Sequence, residues 1–324
     1  NYASIRHLGV DEAEETLGIP SCPSGKQTEA IRKMQDKADE WIGRAKSSHL
    51  GRRDIWFLVQ HQLWPQLHYG LGSNTASLKD LSLCLKKQYW QMMPLGGIIR
   101  SAPTALRQLD HGFFGAGLPH VGIECASAQV NKLLMHYGCP SHIGRELAIS
   151  LGFMTLEMGI STQPLRQSFS QYSRRVTHSW LKALWEKCDE YNINIQFNDG
   201  HLKFPREKDQ WLMQIFEDKG YTLIELARLN RVRLHQQVMF LSCILGASGK
   251  DLDSKYLDRR PNTTNWSELN FPKEKLPRKD FQLWLEALHH IVPPVGIQDR
   301  LGAFLHSGYK IWDWRIDAAG ERIL

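Results

Sequence analysis

Apolar residues recur at three- and four-residue spacing through most of the chain, and that spacing predicts helices. From about Glu29 to Ala45, the residues Ile31, Met34, Ala38, Trp41, Ile42 and Ala45 fall on one amphipathic face. A second helix is expected from Arg53 toward Tyr69, with Ile55, Leu58, Val59 and Leu63 on one side. Pro65 lacks an amide donor and should kink or end it. Further helical patterns cover Leu78–Met92, Glu124–Tyr137, Ile143–Met158, Tyr172–Tyr191, Asp209–Asp218, Leu223–Gly246 and Lys279–His290.

Alternation with a period of two is confined to short pieces. Ile5–Val10 reads as a strand, and Ile193–Phe204 reads as a hairpin turning at Asn198-Asp199-Gly200. Tyr309–Leu324 reads as a second hairpin around Asp317-Ala318-Ala319-Gly320. Between these elements lie an acidic linker (Asp11, Glu12, Glu14, Glu15) and a turn-rich stretch, Pro20–Gly25. Residues 96–122 form a loop studded with Gly112, Gly115 and Gly117, and residues 250–277 are rich in Pro, Asn and Asp. The expected fold class is mostly α: a multi-helix bundle with a short N-terminal strand and small β-hairpins near 193–204 and 309–324.

Composition narrows the function classes. The chain has 324 residues, 42% hydrophobic and 23% charged, which excludes disorder, collagen or coiled coil as whole-chain descriptions. The net charge of +6 permits an anionic partner without demanding one. The 11 tryptophans supply aromatic surface for a core, an interface or base stacking. The 6 cysteines are scattered without a CxxC pair, which fits buried thiols in a reducing compartment. Val238–Ala247, the longest nearly apolar run, is too short to span a bilayer, and no signal peptide is evident.

Catalytic patterns are missing. Two-metal chemistry needs closely grouped carboxylates, and the chain has no Asp-Asp pair. Asp11/Glu12/Glu14/Glu15 and Asp251/Asp253/Asp258 read as solvated charge. No GxSxG, HExxH or GxxxxGK[ST] motif occurs. His136, Cys139 and His142 have a spacing that zinc accepts if a fourth ligand is added. The simpler reading is a helix ending at Gly138, with Cys139 buried and both histidines in solvent.

The basic residues form a more consistent pattern. On a helix over Tyr172–Tyr191, Arg174, Arg175, His178 and Lys182 share a sector of about 100°, with Trp185 beside it. After Tyr221, Arg228, Arg231 and His235 share a face, while Arg233 points elsewhere. Arg44, Lys46, Arg52 and Arg53 lie between the first two helices, and Lys86 and Lys87 on the third. Each stripe alone is explained by solvation. Several together, set apart from the acidic start, suit a nucleic-acid backbone, where cations neutralise phosphates and rings stack. Trp41, Trp180, Trp211 and Trp284 fall at helical spacing and are core candidates.

Several segments carry a family resemblance. They are Arg6-His7-Leu8-Gly9-Val10, Phe57–Pro65 through Tyr69-Gly70-Leu71, Met93–Gly97, Gly112–Pro119, Asn131–Gly138, Thr177–Trp180, Leu229–His235 and Lys310–Arg315. Together they resemble the region between the polymerase palm and the RNase H domain of non-LTR-type retroelement polyproteins of diatoms and other microbial eukaryotes. The resemblance implies RNA-directed DNA polymerase activity for the whole polyprotein, with Mg²⁺ held by an Asp-Asp motif in a palm upstream. This chain lacks that motif, so no catalytic residue carries over and no cofactor is expected within it.

On this reading residues 1–10 are the last palm strand, 11–192 a helical thumb-like region and 193–306 a helical connection-like region. Residues 307–324 are a hairpin leading toward a downstream domain, and the chain is expected to be an excerpt. The expected role is to grip a template–primer duplex by its backbone. The expected binding residues are Arg52, Arg53, Arg174, Arg175, His178, Lys182, Trp185, Arg228 and Arg231. Expected partners are an RNA template, an RNA–DNA hybrid and the neighbouring palm and RNase H domains, with no membrane, in the cytoplasm or nucleus. The alternative is a helical protein-interaction module whose basic faces are merely solvated. A third reading is an enzyme whose site is assembled from Glu157, His178 and Glu186.

Overall fold

A computed structural model describes residues 9–160, 163–197, 204–260, 271 and 276–303. These residues are predominantly helical, as the periodicity predicts. The helices are α1 (Thr28–Ser47), α2 (Arg52–Leu58), α3 (Trp64–His68), α4 (Leu78–Cys84), α5 (Lys86–Met92), α6 (Thr104–Gln108) and α7 (Val121–His136). They continue with α8 (His142–Met158), α9 (Phe169–Tyr172), α10 (Trp180–Glu190), α11 (Leu212–Asp218), α12 (Leu223–His235), α13 (Leu241–Ile244) and α14 (Arg278–Ile291).

The strand expected at 5–10 and the hairpin expected at 309–324 lie largely or wholly outside the described residues. So does the tip of the hairpin expected near 193–204; Ile193–Phe197 forms no strand. A hairpin occurs instead from the end of the expected acidic linker into the turn-rich stretch: β1 (Glu14–Thr16) pairs antiparallel with β2 (Ile19–Ser21). Its turn residues Leu17 and Gly18 both have positive φ, 51° and 81°. That is the geometry a two-residue hairpin turn demands, and Leu-Gly is a weak advertisement for it.

The chain divides into two compact units. The first comprises Asn1–Ser141 and His178–Ile193, the second His142–Thr177 and Asn194–Leu324. The expected thumb-like span 11–192 is thus shared between them.

In the first unit α1 buries Met34, Ala38, Trp41 and Ile42, with Glu29 in its first turn and Arg44 and Lys46 in its last, as the helix dipole favours. This face packs in a core with Ile55, Val59, Leu63, Leu81, Met92 and Cys125. Gln35 donates to the Cys84 carbonyl (2.7 Å) and Gln88 to Asp39 (3.1 Å), tying α1 to the α4–α5 pair. The single helix expected over 53–69 is interrupted by a π turn at Val59–Leu63, where the Trp64 amide bonds the Val59 carbonyl. Pro65 explains this: it has no amide to donate and crowds the carbonyl four residues back, and the wider turn relieves both. The π turn also presents Gln62 to the buried Trp41 indole, Nε1 to Oε1 3.2 Å.

In the second unit α12 packs along α14 around Phe216, Leu229, Val232, Trp284 and Leu288. A capping box starts α12: the Thr222 hydroxyl accepts from the Glu225 amide (3.3 Å) and the Glu225 carboxylate from the Thr222 amide (2.9 Å). The helix expected over Leu223–Gly246 ends at His235, because Gln237 has φ 57° and Val238–Phe240 returns to bridge Trp211. The C-terminus of α8 is closed by buried cations. Arg233 donates to the carbonyls of Leu156 (2.5 Å) and Glu157 (3.1 Å), and Arg175 to that of Met158 (3.4 Å). Two guanidinium groups thus meet the negative end of the α8 dipole.

Candidate nucleic-acid interface

The helix expected over Tyr172–Tyr191 is the main correction at the level of the site. It is broken into α9, a 3-10 turn at Ser173–Arg175, an extended stretch and α10, so Arg174, Arg175, His178 and Lys182 share no helical face. Arg174 and Arg175 belong to the second unit, His178 and Lys182 to the first. Arg175 is not available to a phosphate. Its side chain is 1% exposed, pairs with Glu217 at 2.6 Å and lies 4.9 Å from the Tyr172 ring centroid. Trp185 is fully buried and is a core residue, not a stacking platform.

Arg228 and Arg231 are also engaged. Arg228 Nε donates to Asp280 Oδ1 (2.7 Å), its Nη2 donates to the Lys279 carbonyl (2.7 Å), and Arg231 Nη1 donates to Asp280 Oδ2. They clamp a buried carboxylate of α14, which the local pattern on α12 did not reveal. Arg174 and His178 are exposed, and Lys182 is half-buried in the first turn of α10, whose Ser179 cap accepts from the Lys182 amide (3.1 Å). The His178 ring lies over Gly25, where a Cβ would come within 3.0 Å of it.

Arg52 and Arg53 do reach solvent, at the first two positions of α2. Cations there oppose the helix dipole, so helix stability does not account for them. Asp54 supplies the favourable charge and accepts from the Gly51 amide at 3.2 Å. One turn beyond Arg53 stands Phe57, 59% exposed, and one turn further His61, its ring centroid 4.3 Å from that of Phe57. Arg53, Phe57 and His61 are thus an exposed cationic and aromatic stripe at i, i+4 and i+8.

The neighbouring face of the same helix meets the glycine-studded loop. Trp56 packs on Gly96 and the Arg52 stem on Gly97; an added Cβ would stand 2.8 Å from Trp56 Cε3 and 2.7 Å from Arg52 Cδ. Gly97 also has φ 82°, which only glycine adopts cheaply. The loop beyond is tightly hydrogen-bonded rather than irregular. The amides of Ala116, Gly117 and Leu118 bond the carbonyls of Leu106 (2.8 Å), Leu109 (2.9 Å) and Arg107 (2.8 Å). The Tyr89 hydroxyl anchors its far end at the Pro119 carbonyl (2.7 Å), and burial pushes that hydroxyl's pKa up. Arg100 is exposed, and Phe113 and Phe114 are 70% and 97% exposed.

Phe57, His61, Arg100, Phe113 and Phe114 are absent from the residues that basic periodicity selected. The Arg53-x₃-Phe57-x₃-His61 spacing was the available signal. Pro65 masks it, because the π turn that keeps His61 beneath Phe57 is not visible in the spacing.

Cys139 is exposed and its thiol donates to the Met135 carbonyl (3.2 Å), while His142 faces Glu146 at 3.9 Å. Among the described residues no group of three or more His, Cys, Asp or Glu is placed to hold a metal ion. Glu157 is a buried anchor that accepts from the Thr177 amide (3.2 Å) and hydroxyl (2.8 Å). It belongs to the second unit, and His178 and Glu186 to the first. Among the described residues no helix is long and apolar enough to cross a membrane. No family model, curated protein or solved structure matches the chain.

Proposed function

We propose that this chain is a duplex-gripping portion of a retroelement reverse transcriptase, working beside a palm that supplies the Mg²⁺-binding aspartates. The carrying observation is the exposed surface of the first unit, where Arg52 and Arg53 open α2, Phe57 and His61 follow Arg53 one and two turns on, and the Arg52 stem packs on Gly97, three residues before the exposed Arg100. The segments resembling the palm-to-RNase H region give this surface its expected ligand, an RNA–DNA hybrid in the cytoplasm or nucleus.

Guanidinium groups at Arg52, Arg53 and Arg100 neutralise backbone phosphates. Such contacts hold a duplex in register without reading its sequence. Binding of a short RNA–DNA hybrid to the full chain tests the reading. Three phosphate contacts predict a plot of log affinity against log salt with a slope of roughly −2 to −3, indifferent to hybrid sequence. No binding at low salt, or an affinity that ignores salt, overturns it.

A further inference from the structure

Within the loop after α5, Phe114 occupies a position that its own chain does not reward. The Gly115 amide reaches back to the Asp110 carbonyl (3.1 Å), the closure that ends a helical turn through one residue of positive φ. That residue is Phe114, at φ 61°, where glycine is the usual occupant. Its ring is 97% exposed, so burial does not offset the strained backbone. The glycines around it are placed for the turn: at Gly115 a Cβ would stand 1.9 Å from the Leu109 carbonyl oxygen. Phe113, beside Phe114, is exposed as well, at 70%. Charge on the loop favours an anionic partner. Arg100 is exposed and Arg107 half-buried, against a single carboxylate in the loop, the exposed Asp110, one oxygen of which accepts from the Gly112 amide at 2.7 Å.

We infer that Phe113 and Phe114 form a stacking platform for unpaired bases of a nucleic-acid strand leaving the duplex. This rests on the proposed duplex grip and extends it, assigning the single-stranded template overhang to the loop and the paired region to the Arg52–His61 stripe. Rings accept any base because every base has a π face, so the platform is indifferent to overhang sequence.

The test compares a blunt RNA–DNA hybrid with the same hybrid carrying an unpaired template overhang, on the full chain and on Phe114→Gly and Phe113→Ala. The wild-type chain should bind the overhang form about 10- to 100-fold more tightly. Phe114→Gly should abolish that increment while leaving blunt-hybrid affinity unchanged and raising thermal stability, since glycine suits φ 61°. Phe113→Ala should reduce the increment without touching blunt binding. Equal affinity for both hybrids, with normal salt dependence, overturns the platform and leaves the duplex grip standing. An increment that survives Phe114→Gly also overturns it. Self-association of the wild-type chain that Phe114→Gly dissolves, without an overhang increment, assigns the rings to a protein contact instead. Failure of both hybrids to bind defeats the platform and the duplex grip together.

Discussion

Changing Asp280 to Asn tests whether the basic face of α12 serves the fold. The Asp280 side chain is 6% exposed and accepts from Arg228 and Arg231, whose side chains are 32% and 36% exposed. Asn retains one acceptor and turns an amide group toward the other guanidinium, so one charge-assisted bond is lost outright, about 1.5–3 kcal/mol. The arginine left behind is partly solvated and recovers some hydration, which holds the total below the roughly 3–5 kcal/mol of a fully buried broken pair. The expected loss is about 2–4 kcal/mol in urea unfolding of the full chain, read from the midpoint at constant slope. A double-mutant cycle with Arg228→Gln should return a coupling of at least about 1 kcal/mol. Hybrid binding by Arg228→Gln should match wild type. A stability change under about 0.5 kcal/mol, or a large loss of hybrid affinity in Arg228→Gln, would refute the structural role given to this clamp.

Two further outcomes follow from the first unit. Gly115→Ala drives a Cβ against the Leu109 carbonyl. It should break the loop closure, destabilise by about 1–3 kcal/mol and speed hydrogen exchange at the Gly117 and Leu118 amides; unchanged exchange would contradict the packing. Burial raises the thiol pKa values of Cys84 to about 12 and of Cys125 and Cys188 to about 11, against an ordinary 9.0. Above 9 the unfolded chain loses these protons first, so their contribution falls as pH rises from 9 toward 11, by up to about 2–3 kcal/mol per thiol. Lys187 opposes this, because burial lowers its pKa and stability rises as the unfolded lysine also becomes neutral. Unfolding followed from neutral to alkaline pH should show a net decline, reduced in Cys125→Ala; a stability that climbs through this range would contradict the burial of the thiols.

Helices whose apolar face needs no distant partner were legible in the sequence. Over α1 the spacing of Met34, Ala38, Trp41 and Ile42 predicts the buried face directly, and α14 follows the same rule around Phe281, Trp284 and Leu288. The expected helix over Tyr172–Tyr191 failed in its first turns because tertiary bonds won there. Arg175 is drawn to Glu217 and Thr177 to Glu157, contacts 42 and 20 positions apart in the chain. Only from Trp180 does the apolar pattern govern the backbone. The site was legible in part for a related reason. Basic spacing identifies cations on a helix but says nothing about carboxylates brought from elsewhere, and Asp280 lies 52 positions from Arg228. Arg52 and Arg53 lacked such a partner pattern and do emerge at the surface. Phe114 was hidden differently: its exposure follows from a loop closure that glycine spacing hints at and only backbone geometry fixes.

The most direct measurement is the salt dependence of RNA–DNA hybrid binding by the full chain and by the double variant Arg52→Ala, Arg53→Ala. The grip described for the first unit predicts a weaker affinity and a slope shallower by about 2, with folding unchanged. A double variant whose affinity and slope equal those of wild type would contradict it.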